Sequence, residues 1–144
     1  DVLEVRRSLA GMVLERLHGA SAAALSEAHA AVDDMAALVA AGADLDSLAG
    51  ADLHVLDALL TATGSTVLAL CMNPMVAVLT DFEVLQRAMY SEPETNVAAY
   101  RMMLAGLTIG QPGLRDQMLA VLAQRDADTM TRLAEAETRG EVVT

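Results

Sequence analysis

The chain has no tryptophan, no lysine, one phenylalanine, two tyrosines and one cysteine. So few aromatic and β-branched residues leave too little to furnish a sheet. A lone cysteine, Cys71, cannot close an internal disulfide. No charged-then-apolar leader opens the sequence. The longest apolar run, residues 67–79, is broken by Asn73-Pro74 and falls short of the ~20 residues that a membrane-spanning helix needs. These features predict a cytoplasmic chain without a membrane segment. Basic charge is scarce too: nine arginines stand against 20 Asp and Glu, for a formal net charge of −11. Nucleic-acid affinity rests on neutralising phosphates, so this surface would repel DNA.

What is present is helix-forming. Ala, Leu, Met, Glu and Arg dominate, and 144 residues suffice for one domain with a sizeable core. Val5, Leu9, Met12 and Val13 recur at helical spacing and predict a first helix over residues 1–18, stopped by Gly19. Leu25, Ala28, Val32, Met35 and Val39 mark a second over 21–41, ended by Gly42. Asp44 or Asp46 then starts a third that stops near Gly64. Ser65 caps a short helix to Met72, and Pro74 opens another reaching Tyr90. Ser91-Glu92-Pro93-Glu94 reads as a capping box leading a helix to about Leu107. After a Gly/Pro loop at 108–113, Leu114, Met118, Val121 and Leu122 share a face, and Asp126 caps a last helix to about Arg139. The fold expected is all-α, an antiparallel bundle of about seven helices forming a single domain over 1–144. The chain begins without a methionine and within a helical pattern, so an upstream segment is also expected.

The segment ADLHVLDALLTATGS, residues 51–65, places Asp52 one turn before Leu56 and ends at Gly64-Ser65. It resembles the ligand-sensing C-terminal domain of the FadR branch of GntR transcription regulators. The corresponding helix of that family carries an Asp, a His four residues on, and a Gly-Asn beyond. DVLEVRRSL at 1–9, with Glu4 and Arg6, is similar to the family's opening Glu-x-Arg helix, and RDQMLAVLAQRDADTM at 115–130 to its closing helical pair. The resemblance covers nearly the whole chain. It implies a homodimer, a small-molecule effector, and operator DNA reached only through a winged-helix domain upstream of this chain. It also implies metal binding by one Asp and three His, yet the matching positions hold Asp52, Leu56, Arg115 and Glu137. Leucine offers no lone pair and arginine no acceptor, so no metal and no other cofactor is expected.

Folding the last two predicted helices back on each other would bring Arg115 level with Glu137, above Met118 and Leu122. If Asp52 faces the same space, two readings stay open. Arg115 either bridges Asp52 and Glu137 as a structural ion network, or binds the acid group of an effector through its planar fork. Arg6 is either a second cavity cation or a surface partner of Glu4 or Asp1. Tyr100 is a candidate hydrogen-bonding group or a core side chain with a wet hydroxyl.

His54, two residues after Asp52, points to the opposite side of the helix, and His18 and His29 lack the third ligand a metal site requires. Cys71 is expected as a small buried side chain. Nine methionines either plug gaps among the alanines or line an adaptable apolar cavity. With no nucleophile elbow and no Gly-rich phosphate loop, catalysis is not expected. The expectation is an effector-sensing domain, preferably for a carboxylate or acyl thioester with an apolar tail. A sensor of small organic acids and a ligand-free helical dimerisation module are the alternatives.

Overall fold

Apolar residues recurring every three or four positions wind the chain into seven α-helices, and no strand forms among the described residues. The structure is a computed structural model that describes residues 2–140, without the Leu79 side chain. Its helices are α1 (Val2–Leu17), α2 (Ser26–Ala40), α3 (Leu45–Thr63), α4 (Thr66–Asp81), α5 (Glu83–Met89), α6 (Pro93–Ile109) and α7 (Leu114–Thr138). The expected all-α bundle of about seven helices is what forms. Asp1 and residues 141–144, where the first predicted helix begins and the tail ends, lie outside the described residues.

Asp44, rather than Asp46, starts α3: its carboxylate accepts from the Ser47 backbone N–H at 2.8 Å. Gly64 ends that helix with φ at 66°, a left-handed conformation that a side chain would strain. Ser65 caps α4 as expected, accepting from Leu68 N–H at 3.3 Å. One helix then runs through Pro74, where a boundary was expected. The carbonyl that loses its donor belongs to Leu70, which is exposed as Pro74 is, so solvent can take the vacant bond. The break comes instead at Phe82, whose extended backbone turns the chain into α5.

Proline at the first turn does open α6, but the capping box is not made. Glu92 offers no side-chain cap, and the Ser91 hydroxyl instead donates back to the Ala88 carbonyl at 3.3 Å. At the C-terminal end, the expected pair of helices is a single one of 25 residues. No Gly or Pro interrupts it, and Asp126, expected as a cap, sits in its middle facing the core. Twenty-two residues therefore separate Arg115 from Glu137 along one rod, about 33 Å, and the hairpin that was to bring them level does not exist.

α2 packs on α3 and α6, while α1 packs on α7, and α5 wedges between α3, α4 and α7. Leu25, Val32, Met35, Val55, Leu104, Leu107 and Leu114 are essentially sealed from solvent at the centre of this arrangement. α4 is the least covered helix. Residues 65–80 carry no charge, yet Val67 is 70% and Leu70 62% exposed. Cys71 is exposed as well, contrary to expectation, because its neighbour Met72 turns inward and successive helix positions lie about 100° apart. Among the described residues no single helix is long and apolar enough to cross a membrane, and α4 with α5 would reach that length only as a pair bent by 108°.

Candidate functional site

The helices leave a cavity of about 110 Å³ between α1, α3, α6 and α7, with Met72 of α4 and Met89 of α5 closing one side. Most of its wall is apolar: Leu9, Val13 and Leu14 from α1, Leu56, Leu59 and Leu60 from α3, Met103 from α6, Met118 and Leu122 from α7. Four of the nine methionines, Met72, Met89, Met103 and Met118, face this space.

One end of the cavity is polar. Asp52, 4% exposed, accepts a hydrogen bond on each carboxylate oxygen: Tyr90 donates to Oδ2 at 2.7 Å and Tyr100 to Oδ1. Burial, and then the Asp52 charge, hold both phenols well above their usual range, so they remain donors. Beside them stand Arg6 and Arg125. Arg6 reaches from α1 to Asp126 of α7 at 2.8 Å, and Arg7 grips the other oxygen of that carboxylate at 2.6 Å. Arg125 donates to the Thr95 backbone carbonyl at 3.2 Å. Its pKa is lowered, first by burial and then by the nearby Arg6 charge, against the opposing pull of Tyr100, Asp52 and Asp126. Asn96, 6% exposed, also lines the cavity, and its Oδ1 is the buried side-chain polar atom without a hydrogen-bond partner among the described residues.

Of the side chains singled out in the sequence, Asp52, Leu56, Arg6, Met118 and Tyr100 meet around this cavity. Arg115 and Glu137 do not. The Arg115 side chain is 47% exposed, runs over Gly11 of α1, and pairs with Glu15 and Asp116 at 3.5 Å each. Glu137 is exposed near the end of α7. Arg6 hydrogen-bonds the buried Asp126 and not Glu4, Asp1 lying outside the described residues, while His18, His29 and His54 lie on the surface.

Tyr90, Asn96, Arg125 and Asp126 are the residues that sequence reasoning missed. For the last two a signal existed: Leu114, Met118, Leu122, Arg125, Asp126, Thr129, Leu133 and Ala136 continue one helical face without interruption.

The donor set does not suit a divalent metal. Asp52 is the cavity's single carboxylate, it is already engaged by two phenols, and no group of three His, Cys, Asp or Glu gathers among the described residues. The arrangement suits an organic anion better, with the guanidiniums of Arg6 and Arg125 at one end and a hydrocarbon wall at the other. Comparison of the chain with known protein families, with curated proteins and with solved structures gives no match.

Proposed function

We propose that the chain is the effector-sensing and dimerisation domain of a GntR/FadR-type transcription regulator, and that its effector is a small organic acid held in the cavity. The observation that carries this reading is the placement of Arg6 and Arg125 at the polar end of a largely apolar cavity in a protein of net charge −11. Arg6 is shared with Asp126, whereas Arg125 has a backbone carbonyl as its hydrogen-bond acceptor and forms no ion pair among the described residues, so an anionic ligand would supply it with a counter-charge. A solid core would have favoured the ligand-free module.

Size selects among effectors. An apolar cavity of ~150 Å³ admits a benzene ring, so about 110 Å³ suits an acid of roughly six heavy atoms better than a long acyl chain lying wholly within it. The bare apolar face of α4 supports the dimeric part of the reading, since a second copy would cover Val67 and Leu70 without burying a charge. Effector binding would then favour one arrangement of the two subunits and so reposition upstream DNA-binding domains.

Titration calorimetry with butyrate and palmitate, alongside native mass spectrometry of the same preparation, tests this proposal. The expected outcome is a dimer that binds butyrate and not palmitate, with butyrate affinity falling about tenfold or more in Arg125→Met. If neither acid binds, the sensing assignment fails. A monomer at tens of micromolar would remove the dimerisation half.

A further inference from the structure

A second pocket, of about 50 Å³, lies where the first turn of α6 meets α7. It has room for several waters or for an ion of roughly five heavy atoms, since ~10 to 15 Å³ of such space takes one water. Its wall is polar, unlike that of the inner cavity. α6 begins here without a side-chain cap: Glu92 makes no capping bond and Pro93 carries no N–H, so the positive end of the dipole of a 17-residue helix is left at the pocket.

Two arginines of α7 bracket the space. Arg125 and Arg132, two turns apart on one face, donate to the backbone carbonyls of Thr95 and Ala88 at 3.2 and 3.3 Å, and neither forms an ion pair among the described residues. Each guanidinium therefore keeps donors to spare. Between them Thr129 is 5% exposed, and its hydroxyl has no hydrogen-bond partner among the described residues. A hydroxyl on so buried a residue is normally satisfied. We propose that this pocket binds a small tetrahedral oxyanion, phosphate or sulfate, held by Arg125, Arg132 and the Thr129 hydroxyl at the uncapped end of α6. The proposal does not depend on what the inner cavity holds.

Two carboxylates also border the pocket, Glu92 and Asp128. Both are exposed, and Asp128 takes a hydrogen bond from Gln124 at 3.0 Å. Exposed carboxylates are screened by salt and can turn outward, whereas a helix end and guanidiniums anchored to carbonyls stay in place.

Titration calorimetry with sodium phosphate and sodium sulfate at constant ionic strength, on the parent chain and three variants, tests the proposal. The expected result is saturable binding of each anion in the millimolar range or tighter, each competing with the other. Arg132 lines this pocket and not the inner cavity, so Arg132→Gln should weaken phosphate binding about tenfold, the scale of one charge-assisted hydrogen bond. Thr129→Val keeps the net charge and removes a hydroxyl that has no protein partner, so it should fold as well, and it should weaken phosphate binding about three- to tenfold. Arg101→Gln removes the same charge as Arg132→Gln from an exposed pair with Asp33 and should leave phosphate binding unchanged.

Absence of saturable binding by both anions would overturn the proposal, as would a phosphate affinity untouched by Arg132→Gln or by Thr129→Val. Equal losses in Arg132→Gln and Arg101→Gln would overturn it too, because the anion would then answer to net charge and not to the pocket.

Discussion

Asp52 and Asp126 are the two most deeply buried carboxylates among the described residues, at 4% and 2% exposure, and the bundle holds them in opposite ways. Asp126 is gripped by the guanidiniums of Arg6 and Arg7, which tie the middle of α7 to the start of α1. Asp52 is held by two neutral phenols, from the end of α5 and from α6. Permanent cations cancel the first charge where it stands. The second is solvated by hydroxyls, so its charge persists at the cavity wall, where it faces Arg125 and an Arg6 already shared with Asp126. The two sites use the same side chain, one as a clamp between helices and the other as part of a surface that a ligand can complete.

That contrast predicts unequal damage. Asp126→Ala leaves two half-buried arginines facing each other without their shared partner, so stability should fall by about 3 kcal/mol, measured by urea denaturation at neutral pH. A loss under ~1 kcal/mol would show that solvent compensates the arginines and that the clamp is not structural.

Alkaline titration separates the two carboxylates next, because only Asp52 is held by groups that can lose a proton in that range. Tyr90 and Tyr100 are raised above their ordinary pKa of 10.0, so the folded chain retains phenol protons that the unfolded chain releases. Below pH 10 both states are protonated and this contribution is fully present. Above it stability should decline, approaching ~1.4 kcal/mol per pH unit for each tyrosine. Tyr100→Phe should halve that slope, and at neutral pH should lower stability by about 1.5 kcal/mol through the lost donor to Asp52. An unchanged slope would mean that the phenols are not the groups responsible.

The fold was largely legible because it is written in periodicity and caps: Asp44, Gly64, Ser65 and Pro93 mark boundaries through local chemistry alone. Pro74 and Asp126 misled for a shared reason. Each is a residue type that favours helix ends, and each is overridden by its surroundings, one by exposure of the affected carbonyl and the other by two arginines about 120 positions away in sequence. Asp52, Leu56 and Arg6 were expected around one space from the family resemblance, Met118 from the apolar face of its helix, and Tyr100 from the chemistry of its hydroxyl alone. Asn96 left no trace in the sequence. An unpaired amide is a property of what surrounds it, and nothing local distinguishes it from a polar residue on a surface face.

The smallest predicted effect is at Arg115, and it bears on which arginine would serve the proposed ligand. Arg115 and Arg125 lie on the same helix ten residues apart, about 80° from each other around its circumference. Arg115 runs across Gly11 into solvent, with exposed acidic partners at 3.5 Å, whereas Arg125 turns toward the cavity and donates to Thr95. Exposed pairs of that kind contribute at most ~0.5 to 1 kcal/mol, reduced further by salt. Arg115→Ala should therefore change stability by less than about 0.5 kcal/mol and leave butyrate affinity as it was. Measured beside Arg125→Met at one salt concentration, the pair isolates position on the helix from charge, since each variant removes one guanidinium. Equal loss of binding in both would mean that the acid responds to the overall field of the protein and not to the two arginines at the polar end of the cavity.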